Sequence, residues 1–247
     1  LAAIGEKSYV KISEAIAAAG ENDTVKLLPR ADGSPVYGCY TVLGKKNITI
    51  DLNEATIEYR GENNYLLKIE NSSVTIKNGT LNLQNAGSAV AVSGNSNVIF
   101  ENVTIKTSGR GVFVRSAGDT YIKVNSDTVI VSEKPSFYFG SEDASENITL
   151  DIFGKINSEK ASAIYNISKG KVKINLHSGS EIKAADVGIY NKESGFSLEM
   201  DGGLISGGTG IHSIGGKLTI RGGHISATGS KGAAPNTGCA VSSAGAS

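Results

Sequence analysis

Five ring-bearing residues, Phe113, Tyr138, Tyr165, Tyr190 and His212, recur at one position of successive apolar phrases. Each follows a residue that alternation turns inward (Val112, Phe137, Ile164, Ile189, Ile211), so the rings are expected on one outer face. A flat ring can lie on the C–H face of a sugar while a tyrosine hydroxyl reaches its OH groups. Exposed aromatic patches mark binding sites. The structural alternative is a ladder of rings packed on one another across neighbouring strands.

A second set of chemistry-bearing residues is Asp51, Lys77, Glu101, Asn125, Asp151, Asn175, Asp201 and Arg221, one after each first-strand triplet. Most of this column reads as an exposed ladder of charges and amides, each pair contributing under about 1 kcal/mol. Asp151 and Asp201 are the candidate catalytic pair. Two rungs of one column would separate them by roughly 9–10 Å, near the upper limit for the carboxylates of an inverting glycosidase. No other chemistry assembles. His177, His212 and His224 fall in a turn, a third strand and a second strand, which makes no metal site, and no cofactor is implied. Nucleophile-elbow, zinc-protease and phosphate-loop motifs are absent. Cys39 and Cys239 form neither a disulfide framework nor a metal motif, and the solenoid described next holds them about 30 Å apart.

The elements that position these residues repeat. An apolar-x-apolar triplet recurs as Ile48–Ile50, Val74–Ile76, Val98–Phe100, Ile122–Val124, Ile148–Leu150, Val172–Ile174, Leu198–Met200 and Leu218–Ile220. A second strand places Ile57, Leu81, Ile105, Ile130, Ile156, Ile182, Ile205 and Ile225 in one column, at spacings of 24, 24, 25, 26, 26, 23 and 20 residues. A third gives Leu67, Val90, Val112, Phe137, Ile164, Ile189, Ile211 and Val241. One such repeat cannot bury its own apolar face, but stacked repeats share a continuous core. The expected fold is all-β: a right-handed parallel β-helix, a single-stranded solenoid of three strands per coil and about eight coils over residues 47–247. Residues 1–46 are expected to form an N-terminal cap, a helix near 13–20 followed by a first strand at Thr24-Val25-Lys26-Leu27-Leu28, and an entry loop. Ser13 to Gly20 reads as a short helix with Ser13 as N-cap and Gly20 as its stop, covering open strand edges. The Gly/Ala/Ser-rich stretch from Gly229 to Ser247 reads as a chain that continues into a longer protein.

Composition narrows the partners. Twenty-four basic and 24 acidic residues balance, which gives no electrostatic reason to expect nucleic acid or an anionic membrane. No apolar run is long enough to span a membrane. Seven Asn-x-Ser/Thr triplets begin at Asn22, Asn47, Asn71, Asn78, Asn102, Asn147 and Asn166. They read as asparagine suiting turns and threonine suiting strands rather than as glycosylation acceptors.

The opening Ile4-Gly5-Glu6-Lys7-Ser8-Tyr9, with Ser13-Glu14-Ala15-Ile16, Asp23-Thr24-Val25-Lys26-Leu27-Leu28 and Asn47-Ile48-Thr49-Ile50-Asp51-Leu52-Asn53, resembles the start of pectate-lyase-like β-helix domains. Those domains belong to large secreted or cell-surface bacterial proteins often described as adhesin-like. The resemblance implies an extracellular location and leaves activity open, since that superfamily includes lyases, hydrolases and non-catalytic binders. Polygalacturonase-like enzymes cluster aspartates with Gly-His-Gly and Arg-x-Lys motifs, and Gly222-Gly223-His224 is not that motif. Pectate lyases need several acids beside an arginine, and Arg110 and Arg115 have no acidic neighbours in the adjacent third strands. The sequence therefore favours a non-catalytic extracellular module that binds a glycan or partner protein through the ring stripe. The alternatives are a polysaccharide lyase or glycoside hydrolase of the same superfamily and a structural stalk.

Overall fold

The structure is a computed structural model that describes residues 1–28, 30–62, 64–115, 118–142, 145–229 and 238–243. Three short strands per coil stack in parallel on their counterparts and build a solenoid of about eight turns. In the second column Ile57 pairs with Leu81, Leu81 with Ile105, Ile105 with Ile130 and Ile130 with Ile156. Ile182, Ile205 and Ile225 continue it. In the third column Leu67, Val90, Val112, Phe137, Ile164, Ile189, Ile211 and Val241 pair in that order. All but the last members of these two columns are buried in one continuous core. Period-2 alternation explains this, because every strand must send one face inward and one outward.

The corners depend on residues that tolerate the left-handed region. Asn78 (φ 58°) and Asn102 (φ 52°) bend the long strands Ser73–Leu83 and Ser96–Thr107, which run through the first and second columns without a break. This continuity joins those columns into one 18-stranded sheet beside a nine-stranded third-strand sheet. Asn22, Asn47 and Asn71 also have positive φ, so five of the seven Asn-x-Ser/Thr asparagines are turn residues. Asn166 is fully buried. Its Nδ2 donates to Asn191 Oδ1 at 2.8 Å, and Asn191 Nδ2 donates to Ser213 Oγ at 2.8 Å. These three residues follow Phe139 in one column, where the core changes from rings to a ladder of buried amides and hydroxyls.

The structure corrects the sequence reading at three places. First, the triplet Ile122–Val124 pairs with Leu150 and Ile152, not with Ile148 and Leu150. Likewise Ile174 and Leu176 pair with Leu198 and Met200. Strands Asn147–Ile152 and Lys171–Leu176 each carry three inward residues, so a shift of two residues leaves the inside and outside unchanged. Second, parallel stacking starts at Thr24–Leu27, whose Val25 pairs with Ile50. Val36–Tyr37 and Tyr40–Leu43 complete that coil inside the stretch read as an entry loop. Third, the helix is Ile12–Ala18, with Lys11 as N-cap and no side-chain cap, so Ser13 lies inside it. Lys45 Nζ donates to the carbonyls of Ala17 and Ala19 at 2.7 Å each and caps the far end from another coil. Ile12, Ala15 and Ile16 face the first coil, which the helix covers together with strands Ala2–Ile4 and Lys7–Tyr9. Residues 230–237 and 244–247 of the Gly/Ala/Ser-rich stretch lie outside the described residues.

Candidate functional site

The outward partners of the third column are Lys68, Ala91, Phe113, Tyr138, Tyr165, Tyr190, His212 and Ser242, in unbroken register. The five rings therefore share one stripe. Tyr138 and Tyr165 have centroids 5.5 Å apart with planes 10° from parallel, and Tyr165 and Tyr190 lie 4.8 Å apart at 8°. His212 continues the stack at 5.3 Å and 23°. Phe113 breaks it, tilted 57° to Tyr138. At these separations neighbouring rings cover much of each other's faces, so the tyrosines present edges and hydroxyls outward. A sugar lying flat on a ring, as the sequence reading supposed, would have to displace a neighbouring ring. Among the described residues none of the three phenol hydroxyls has a protein hydrogen-bond partner. Burial pushes the Tyr165 phenol above its ordinary range, and the two flanking phenols add to the shift.

Arg110 closes the Phe113 end. Its guanidinium carbon lies 4.6 Å from the Tyr138 centroid and 5.7 Å from that of Phe113, within cation–π range. Beside it a pocket of about 300 Å³ opens between Arg110, Lys134, Tyr138, Ser162, Tyr165 and Asp186. These residues stand at or just before the third strands of four successive coils. Ser162 Oγ donates to Asp186 Oδ2 at 3.1 Å. The pocket thus meets the ring stripe at Tyr138 and Tyr165, its second and third members, which no sequence column showed. Arg110 is three residues before Phe113, whereas Asp186 is four before Tyr190, so their loops hide the juxtaposition.

Asp151 and Asp201 do not face each other as a catalytic pair. Asp151 pairs with Lys123 and Asn175, which leads on to Glu199. Asp201 follows Met200, whose partner is Leu176, so it stands beside His177. Tyr121 donates its hydroxyl to Asp151 Oδ2 at 2.6 Å, and Asn175 Nδ2 donates to Oδ1 at 2.6 Å. His177 Nε2 lies 3.8 Å from that carboxylate, and its ring stacks on Phe153 at 3.9 Å and 1°. Arg221 holds Asp201 at 3.0 Å. Burial, followed by the hydrogen bond to Asp151 and that carboxylate's charge, pushes the Tyr121 phenol up to about 12. Both carboxylates are thus engaged by protein partners, in different outward columns rather than the one column expected.

A larger groove, about 600 Å³, follows the corner between third and first strands. Three of its amides are engaged: Asn71 Oδ1 accepts from the Asn95 N–H at 3.1 Å, Asn95 Oδ1 from the Asp119 N–H at 2.8 Å, and Asn147 Nδ2 donates to Asp119 Oδ1 at 2.8 Å. Among the described residues no group of three or more His, Cys, Asp or Glu could share a metal ion. Neither cysteine is in a disulfide. No described helix is long and apolar enough to cross a membrane.

The fold and this surface define the class: a parallel β-solenoid carrying a polar aromatic face. Comparison with protein-family models, with curated proteins and with solved structures finds no match.

Proposed function

We propose that this chain is a non-catalytic module of a bacterial surface protein, exposed outside the cell, whose third-strand sheet binds a glycan or a partner protein. One observation carries the reading: the ring stripe and the pocket between Arg110 and Asp186 meet on one face, with phenol hydroxyls and a guanidinium that have no protein hydrogen-bond partner there. A rigid row of rings loses little conformational entropy on binding, since each has two side-chain torsions. Edge-on tyrosines offer hydroxyls at the spacing of the rungs, which suits a polar ligand lying along the sheet. The similarity of the opening phrases to pectate-lyase-like domains of adhesin-like proteins supports the extracellular part of the reading.

The test is a glycan array and a mucin-binding assay with wild type and with Tyr138, Tyr165 and Tyr190 each replaced by alanine. Loss of binding in the variants supports the binding face. An array and mucin assay that are both blank for wild type remove the glycan as its ligand.

The stalk reading is favoured by a specific observation, the mutual covering of the ring faces, which is what a purely stabilising ladder would show. The enzyme reading has an equally direct test. Release of reducing ends or unsaturated products from polygalacturonate, abolished by Asp151→Asn or Asp201→Asn, would establish it.

A further inference from the structure

We infer that the pocket between Arg110 and Asp186 selects a terminal acidic sugar, one carrying a carboxylate or a sulfate. This rests on the third-strand sheet being the binding face, and it adds which ligand the face takes.

Some basic side chains of the described residues, Lys68, Lys173 and Arg221 among them, lie within 4.0 Å of a carboxylate, and others, such as Lys106, Lys123 and Lys155, do not. What sets two cations apart is their place in this pocket. Among the described residues Arg110 and Lys134 have no such partner. Lys134 Nζ reaches only the Ala86 carbonyl, at 3.3 Å. The Arg110 side chain makes no hydrogen bond, and its Nε is shut off from solvent. Its planar group is instead held on Tyr138, which fixes its direction before any ligand arrives. A guanidinium fixed in this way loses little freedom on gripping a carboxylate or sulfate with two parallel hydrogen bonds.

The other wall has the opposite sign. Asp186 is exposed and keeps its second carboxylate oxygen clear of the Ser162 bond. An anion placed there would be repelled, whereas a sugar hydroxyl would donate to it. The pocket is therefore polarised along the coil axis, with cations at the Arg110 and Lys134 end, acid at the Asp186 end and the edges of Tyr138 and Tyr165 between. A ligand that satisfies it carries an anionic group and hydroxyls on one small ring system. About 300 Å³ lies at the low end for ligand clefts and has room for roughly one or two sugar rings. That size fits the end group of a glycan rather than a length of polymer.

The experiment titrates the full chain with 3′-sialyllactose, 3′-sulfolactose and lactose by calorimetry, at low and at physiological salt. At least one acidic sugar is expected to bind about tenfold or more tighter than lactose, with affinity falling as salt rises. Which one binds tells carboxylate from sulfate. Arg110→Gln is expected to remove the preference, and Lys134→Gln, at an exposed side chain that does not pack on the rings, to reduce it. Asp186→Asn is expected to weaken every sugar that binds. Equal binding of lactose and both acidic sugars overturns the inference, as does an acidic preference that survives Arg110→Gln together with Lys134→Gln. If none of the three binds but the array shows neutral glycans that require Tyr165, the pocket assignment fails and the binding face stands. If the array and mucin assay are blank too, the pocket assignment and the glycan reading of the face both fail.

Discussion

The first-strand and third-strand faces use the same residue types to opposite effect. On the first-strand face Tyr121 and Asn175 donate to Asp151 and Arg221 holds Asp201, while His177, whose Nε2 makes no hydrogen bond, stacks on the Phe153 ring with Lys123 5.2 Å from its centroid. On the third-strand face three phenol hydroxyls and the Arg110 guanidinium have no hydrogen-bond or ion partner among the described residues, and Lys134 has only the Ala86 carbonyl. Chemical type does not separate the two faces; the state of the hydrogen-bonding groups does. A polar group already matched by the protein contributes to structure, and displacing its partner costs what the pair was worth. A group left to water is available to a ligand at little cost.

Both faces hang on one core, so the largest effect lies there. Ile156 is buried in the middle of the second column. Ile156→Asp is expected to abolish soluble expression, and Ile156→Ala to cost about 2–5 kcal/mol in urea unfolding. A normally folded Ile156→Asp protein would break the register and both faces with it. The buried amide ladder comes next. Asn191→Ala removes donors from Ser213 Oγ and Gly215 O and an acceptor from Asn166. The loss is expected to be about 1–3 kcal/mol, with binding on the third-strand face retained.

The smallest effect sharpens the contrast. The Tyr121 phenol titrates at about 12 when folded, against about 10 in an unfolded chain. A group whose pKa is raised by folding contributes stability that is complete below pH ~10 and is lost as pH climbs towards 12. Unfolding curves between these values should fall less steeply for Tyr121→Phe than for wild type. Asp151→Asn should bring the phenol's titration part of the way down, since burial is the larger cause. Spectrophotometric titration of the tyrosines checks both. Neither substitution should alter ligand binding, and a loss of binding from Asp151→Asn would mean that the first-strand face is functional after all.

Much of this architecture is legible in the sequence, and its failures have physical reasons. The second and third columns are readable because their strands carry few inward residues, which leaves one way to align them. The first column slips at Asn147–Ile152 and Lys171–Leu176, where a third inward residue permits a two-residue shift without exchanging faces. That slip put Asp151 and Asp201 into one column and Thr149 where Asp151 belongs. The ring stripe is visible as spacing, but how the rings stand to each other depends on rung separation and on side-chain torsions. The pocket arises where loops of four coils converge, and Lys45 caps a helix from 26 residues away, measured to Ala19. Neither has a local signature. The Asn166–Asn191 ladder hides because alternation marks those positions as inward and leads one to expect apolar residues.

Binding and bracing by the ring stripe are separable. The direct measurement compares wild type with the variant carrying Tyr138→Ala, Tyr165→Ala and Tyr190→Ala, in thermal melting and in glycan or mucin binding on the same preparation. The expected result is a variant that still folds, melts lower because the stack is gone, and no longer binds. Single replacement of Tyr165 is expected to weaken binding by about 1–3 kcal/mol, as for a central aromatic anchor. A variant that melts lower and binds as wild type does would contradict binding by the stripe and leave the solenoid a stalk.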